Sequence, residues 1–121
     1  MSKTIMIVDD SASLRQVVKI ALSGAGYQVL EARDGQDALT KLEGQKVHLV
    51  ISDVNMPNMD GITFVQEMKK KPEHKFTPII MLTTESEESK ISKGQAAGAK
   101  AWVVKPFQPA QMLAAVQKLA L

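Results

Sequence analysis

Five residues whose side chains could take part in phosphoryl or metal chemistry each follow closely after a short apolar segment. They comprise three carboxylates, one hydroxyl and one ammonium group, namely Asp9, Asp10, Asp53, Thr83 and Lys105. Carboxylates gathered at one place repel one another, by about 1 kcal/mol per pair at ~4 Å in water and about 4 kcal/mol at an effective dielectric constant of 20. A divalent cation relieves that repulsion. Because no His or Cys is nearby, all the ligands would be oxygen atoms, which favours Mg²⁺ over zinc.

The same set of groups suits phosphoryl transfer. A cation, a lysine and a hydroxyl around one carboxylate neutralise the oxygens of a transferred phosphoryl group and align the attack on it. Asp53 is the best candidate for the nucleophile, because it alone follows the central apolar segment of the chain.

Apolar segments alternate along the chain with segments that have helical periodicity. Helix-capping residues precede several of the periodic segments, as Ser11 and Asp34 do, and glycines follow several of them. The pattern predicts strands at 5–8, 27–31, 47–51, 78–82 and 101–104, and helices at about 12–23, 35–42, 61–70, 86–97 and 109–119.

Five such βα repeats predict one α/β domain over residues 1–121, with a parallel sheet covered by helices on both faces. The strand segments are almost continuously apolar, as expected when both faces of a sheet are buried. All strands of a parallel sheet end at the same edge, so we expect the five candidate residues to converge there. Ligands of open α/β sheets bind at that edge.

Composition excludes several classes of protein. The 121 residues are 45% hydrophobic and 23% charged, and they include no cysteine, which excludes disulfide scaffolds, thiol catalysis and cysteine-bound zinc. The net charge is only +2 and aromatic residues make up 4%, so nucleic-acid binding has little support. No apolar run approaches 18 residues and the start does not resemble a signal peptide. We therefore expect a cytoplasmic protein with no membrane span.

The motifs together resemble the receiver domains of two-component response regulators, most closely the single-domain, chemotaxis-type ones. The resemblance covers essentially the whole chain. It implies the flavodoxin-like, doubly wound (βα)5 fold with strand order 2-1-3-4-5. The residues that carry it are Asp9-Asp10, Asp53 in the segment 53–57, the Met59-Asp60-Gly61 turn, Thr83, and Lys105-Pro106-Phe107.

The resemblance also implies a role for each site residue. Asp53 would accept a phosphoryl group from the phosphohistidine of a sensor histidine kinase. Mg²⁺ would be bound by the side chains of Asp10 and Asp53, by the backbone carbonyl of Asn55, and by Asp9 through a water molecule. Thr83 would hydrogen-bond the phosphoryl group and Lys105 would bridge to it. A cis peptide bond between Lys105 and Pro106 is implied as well.

A chain of this kind would be a switch that changes partner binding and would not be a conventional enzyme, although it would catalyse its own phosphorylation and dephosphorylation. We expect a monomer. A flagellar motor switch, another signalling protein and a phosphate-sink role remain open for its output. Trp102 stands where many family members have Tyr or Phe. Either the indole turns inward on activation, or it stays partly exposed in a partner-binding surface.

Two rival interpretations each require residues that this sequence does not have. A Mg²⁺-dependent phosphohydrolase of the haloacid dehalogenase kind would need an acid at position 55, where the chain has Asn55. The acidic pair of that enzyme class also follows the nucleophile, whereas Asp9 and Asp10 precede Asp53. A flavin-binding electron carrier would need a hydroxyl- and glycine-rich loop after the first strand, where the chain has two aspartates.

Overall fold

The computed structural model describes residues 3–84 and 97–120. These residues form five strands, four α-helices and one turn of 3₁₀ helix. In chain order the elements are β1 Thr4–Val8, α1 Ala12–Gly24, β2 Gln28–Ala32, α2 Gly35–Leu42, β3 Leu49–Asp53, α3 Gly61–Lys69, the 3₁₀ turn Pro72–His74, β4 Ile79–Thr84, β5 Ala101–Lys105 and α4 Pro109–Leu119. The helix predicted at 86–97 lies outside the described residues except for its last position.

The strands form one sheet in the order β2-β1-β3-β4-β5, and every neighbouring pair is parallel. The predicted fold class and strand order are therefore confirmed. β3 was predicted to begin at Val47, but it begins two residues later. The backbone N–H of His48 instead donates to the carbonyl of Thr4, and the Thr4 N–H donates to His48 Nδ1 at 3.0 Å.

Three helices begin at side-chain caps, two of which, Ser11 and Asp34, were predicted from the sequence. Ser11 caps α1, Asp34 caps α2 and Asp60 caps α3, and each side chain accepts a hydrogen bond from a backbone N–H three residues later. Such caps satisfy N–H groups that have no partner within the helix. They also fix the point at which each helix leaves the carboxyl edge of the sheet.

The hydrophobic core consists of two layers, one on each face of the sheet. Alternate strand residues point to opposite layers, so Met6 and Val8 pack with α2 and α3, while Ile5 and Ile7 pack with α1 and α4. This follows from the two-residue period of side chains along a strand. Among the described helices, none combines the length and apolar character that crossing a membrane would require.

His74 lies among polar residues in the sequence, yet its side chain is buried. It is only 2% exposed, and its Nε2 lies 3.4 Å from the carbonyl oxygen of Leu42. The 3₁₀ turn places the imidazole against the end of α2. The two residues in contact, His74 and Leu42, are 32 positions apart in the sequence. Local polarity could not reveal it.

Candidate functional site

The carboxyl edge of the sheet brings three carboxylates together. Asp9 and Asp10 follow β1 and Asp53 ends the adjacent β3, and an oxygen of each lies within 4.8 Å of an oxygen of the others. Asp9 and Asp53 are buried, whereas Asp10 is exposed. The predicted convergence is therefore present, with one face of the cluster open to solvent.

Asp9 is fixed by contacts to the elements on either side of it. Its Oδ1 accepts the Ser11 N–H at 2.8 Å, and its own N–H donates to the Ala32 carbonyl at 3.1 Å. The Arg15 guanidinium donates to the Asp9 carbonyl oxygen. These bonds join the end of β1 to both β2 and α1, so the carboxylate is held in one orientation.

Lys105 places a positive charge between two of the carboxylates. Its Nζ lies 3.3 Å from Asp9 Oδ2 and 3.2 Å from Asp53 Oδ1. Burial lowers the pKa of Lys105, but the carboxylates of Asp53 and Asp9 outweigh that effect and raise its pKa above the ordinary value. The ammonium is therefore fully protonated at neutral pH.

The environment of Asp53 disfavours its charge. Burial raises the pKa of the Asp53 carboxyl and the neighbouring Asp9 raises it further, while Lys105 and a hydrogen bond from the Asn55 backbone lower it. The net shift is upward, because one lysine does not offset both burial and a second carboxylate. A further cation would favour the charged form.

Two buried polar atoms on β4 and β5 have no hydrogen-bond partner among the described residues. One is Thr83 Oγ1, on the strand next to Asp53, and the other is Trp102 Nε1, which belongs to the second residue of β5. Buried polar groups without a partner are rare in folded proteins. The Trp102 ring is partly buried and packs against the core layer on the α2 and α3 side. It is thus neither fully inward nor fully exposed.

The loop after β3 holds the start of α3 against Asp53. The Gly61 N–H donates to the Val54 carbonyl at 2.8 Å, and a Cβ at Gly61 would lie 2.0 Å from the backbone oxygen of Asp53. Only glycine fits there. In the same loop Asn58 has a φ of 69° and donates from Nδ2 to Asp34 Oδ2 at 2.9 Å. The sequence marked this turn but did not reveal the close approach.

The donor set fits Mg²⁺. It consists of carboxylate oxygens only, gathered within one small space and partly open to solvent. Mg²⁺ is typically bound through one or two carboxylates together with water and phosphate oxygens. The cis Lys105–Pro106 bond is present as the resemblance implied. The ligand role of the Asn55 carbonyl stays a prediction.

A doubly wound parallel sheet with an acidic cluster and a lysine at its carboxyl edge defines a class of small α/β proteins that handle phosphoryl groups. The family model of the response regulator receiver domain matches residues 5–117, and the chain belongs to this family. The haloacid dehalogenase and flavin-carrier interpretations are therefore wrong.

Chemotaxis proteins are among the similar proteins. The structure of the chemotaxis response regulator CheY4 of Vibrio cholerae matches with a TM-score of 0.93 and 44% identity, covering 98% of this chain and 99% of that one. Chemotaxis protein CheY1 of Helicobacter pylori is 38% identical over 107 residues, which are 87% of this chain and 86% of the relative.

Other relatives are longer or come from other signalling proteins. The probable transcriptional regulator ycf27 of Cyanophora paradoxa is 39% identical over 117 residues, 97% of this chain but 48% of the relative. The chain thus spans about half the length of several curated relatives that it matches. The receiver domain of the sensor histidine kinase PA1611 from Pseudomonas aeruginosa has a magnesium ion coordinated in its active site cleft; it matches with a TM-score of 0.90 and 25% identity, covering 99% of this chain and 98% of that one.

Family membership establishes the general function. A receiver domain is a phosphorylation-activated signalling switch, not a conventional enzyme, and it works between a histidine kinase and a downstream target. Of the predicted site residues, the structure brings Asp9, Asp10, Asp53 and Lys105 together in one cluster.

Proposed function

We propose that this chain is a chemotaxis-type response regulator that accepts a phosphoryl group on Asp53 from the phosphohistidine of a sensor kinase. The observation that carries the proposal is the grouping of three carboxylates within 4.8 Å, with the Lys105 ammonium 3.2 Å from Asp53. Asp10, Asp53 and the Asn55 carbonyl would bind Mg²⁺ directly, and Asp9 would bind it through water.

The proposed transfer is a single displacement at phosphorus. A carboxylate oxygen of Asp53 forms a bond to phosphorus while the phosphorus–nitrogen bond of the phosphohistidine breaks. The imidazole leaves with the bonding electron pair and takes up a proton. When bound, Mg²⁺ supplies charge neutralisation at the phosphoryl oxygens. Lys105 supplies a second positive charge beside Asp53, and its ion pair with Asp9 keeps it in position.

The proposed switch depends on contacts that only the phosphorylated state offers. Phosphorylation adds negative charge and acceptor oxygens at Asp53. The buried Thr83 hydroxyl, which has no partner among the described residues, would then gain one. Such differential contacts shift the equilibrium between two states of the protein. The altered surface would include β5, with Trp102, and α4, together with the helix predicted at 86–97, most of which lies outside the described residues. Water would later hydrolyse the acyl phosphate at the same site.

The output of the switch is part of the proposal. Similarity to CheY1 and CheY4 favours a chemotaxis target such as the flagellar motor switch, and a phosphate-sink role is the second candidate. The cytoplasmic location and monomeric state expected from the sequence stay predictions. Beryllofluoride-treated protein should bind its target more tightly than untreated protein. A sink would show no such difference with any candidate target while still draining phosphoryl groups from the kinase.

The decisive experiment labels the protein with radioactive acetyl phosphate in the presence of Mg²⁺. Asp53→Asn should abolish acid-stable, base-labile labelling, because the amide cannot form the acyl phosphate. Asp60→Asn is the matched control, since asparagine caps a helix about as well as aspartate and Asp60 only caps α3. It should label like the unmodified protein. Equal labelling of Asp53→Asn and the unmodified chain would overturn the assignment.

A further inference from the structure

Several lysines lie at the amino edge of the sheet, where β4 and β5 begin. The acidic cluster lies at the opposite, carboxyl edge. The lysines lie at the end of α3, in the segment after it, and directly before β5. With the exposed phenylalanine beside them they form what we call the basal patch: Lys69, Lys70, Lys71, Lys75, Lys100 and Phe76. Two glutamates, Glu67 and Glu73, lie in the same segment. The local surplus of three positive charges exceeds the net charge of +2 for the whole chain.

The ammonium group of Lys69 is bound by carbonyl oxygens. Its Nζ donates to the backbone oxygens of Lys75 and Thr77. Burial lowers the pKa of Lys69, and the charge of Lys100 lowers it further. In the described part of the patch, the ion pair between Lys70 and Glu67 is the one close contact between opposite charges. With Lys69 and Lys70 engaged in this way, the ammonium groups of Lys71, Lys75 and Lys100 are the ones available to an external anion.

Phe76 is 88% exposed, the largest exposure of any large apolar residue among those described. The Lys75 ammonium lies 5.7 Å from the centre of its ring. The ring borders a groove of about 550 Å³ whose walls include Gln45, Lys46, Val47, Pro72, His74 and Phe76. An exposed aromatic ring at the edge of a partly apolar groove is typical of an interaction surface.

We propose that the basal patch and the adjoining groove bind an acidic segment of a partner protein, with one apolar side chain of that segment in the groove beside Phe76. Charge complementarity selects an anionic partner, because lysines outnumber glutamates at this edge. The groove volume falls within the range of 300–1,000 Å³ that is typical of ligand pockets, and it suits an apolar side chain.

The observations favour a peptide over a nucleic acid. Single-stranded nucleic acids bind by stacking successive bases on several aromatic rings. The basal patch has a single ring, and that ring already contacts Lys75. The patch also lies at the edge opposite Asp53, so a partner bound there would leave the acidic cluster accessible. Such a partner would therefore hold the protein without blocking phosphorylation of Asp53.

A random dodecapeptide library displayed on phage tests the proposal against the full chain. Selection on the unmodified protein should enrich peptides with several Asp or Glu residues and one large apolar residue. The enriched peptides should then be made synthetically and their affinities measured. They should bind the Phe76→Ser variant at least tenfold more weakly than the unmodified protein. They should also bind the double variant Lys71→Gln/Lys75→Gln more weakly than the unmodified protein. Binding should also weaken steeply as salt is raised from 50 to 300 mM, because exposed charges are screened.

Matched controls come from α1 and α4, which pack on the other face of the sheet from α3. Ile20→Ser removes an exposed apolar side chain on α1, and Lys118→Gln removes an exposed charge on α4. Both should bind the peptides like the unmodified protein, and thermal melting should show that all variants fold. The proposal would be overturned if the unmodified protein enriched no more peptides than the Phe76→Ser variant. It would also be overturned if the enriched peptides lacked acidic residues. Tighter, Phe76-dependent binding of a single-stranded oligonucleotide or of phosphatidylglycerol vesicles would also overturn it.

Discussion

Replacing Gly61 with alanine should strongly destabilise the protein, because the new methyl group has no room. Its Cβ would lie 2.0 Å from the Asp53 carbonyl oxygen and 3.0 Å from Met81 Cε. Ordinary contact begins at 3.4 Å, so the start of α3 must move by roughly 1.4 Å. That movement also breaks the 2.8 Å hydrogen bond from the Gly61 N–H to Val54.

The magnitude follows from the two losses. Overpacking a closely packed site costs about 1–3 kcal/mol, and the lost hydrogen bond costs about 0.5–1.5 kcal/mol. We expect Gly61→Ala to lower the free energy of unfolding by about 2–4 kcal/mol relative to a glycine-to-alanine change without a clash. At roughly 4 °C per kcal/mol for a chain of this size, Tm should fall by about 8–16 °C.

Gly24 provides that reference, since a Cβ there meets nothing within 4 Å. Gly24→Ala should be neutral or slightly stabilising, by up to about 1 kcal/mol, because alanine restricts the unfolded chain. Urea unfolding of both variants gives the difference directly. The proposed phosphorylation of Asp53 offers a second readout, since a misplacement of about 1 Å can cost roughly 100-fold in rate. If Gly61→Ala unfolds at the same urea concentration as Gly24→Ala, the steric argument is wrong.

Three further predictions concern cation binding, helix capping and the core. Mg²⁺ at 100 times its Kd should stabilise the protein by about 2.7 kcal/mol. In thermal melting, the rise in Tm on adding Mg²⁺ should be much smaller for Asp10→Asn than for the unmodified protein. Equal rises in Tm would contradict the proposed ligand set. Asp34→Ala should lower the free energy of unfolding by about 1 kcal/mol at pH 7, because it removes the cap of α2. Hydrogen bonds from the Asp37 backbone and from Asn58 hold the pKa of Asp34 below 3.8, so its contribution is complete above that value and is lost as pH falls through the lower folded-state pKa. Urea unfolding at pH values from 7 down into the range below 3.8 should therefore show the difference between the two proteins narrowing as the pH falls, and a constant difference would argue against a charged cap. Phe64→Ala should cost about 3–5 kcal/mol because the ring is fully buried, whereas Phe76→Ala should cost less than about 0.5 kcal/mol by the same measurement.

The fold and the centre of the site could be predicted because strong local signals agree. Apolar segments define the strands, capping residues mark the helices, and a parallel sheet brings all the strand ends to one edge. Asp9 and Lys105 therefore lie at the same edge although they are 96 positions apart. The strand order came from the resemblance to receiver domains, and the contact between the two side chains, which reaches across β3 and β4, could not be predicted from the parallel topology.

The remaining features depend on contacts that sequence patterns do not encode. The imidazole of His74 is buried because a 3₁₀ turn packs under a helix that ended 30 residues earlier. The first strand residue of β3 is Leu49 and not Val47, because strand pairing, and not hydrophobicity, determines the limits of a strand. Gly61 looked like an ordinary turn residue. Its necessity comes from a backbone oxygen that only the folded chain brings close.

The ion pairs of Lys105 have a consequence for how the protein would respond to magnesium. Its ammonium already offsets part of the negative charge of both buried carboxylates. An arriving ion therefore gains less electrostatic energy than it would in an acidic pocket without a lysine. Such a pocket would hold its ion more tightly, whereas this one should load and empty as free magnesium rises and falls.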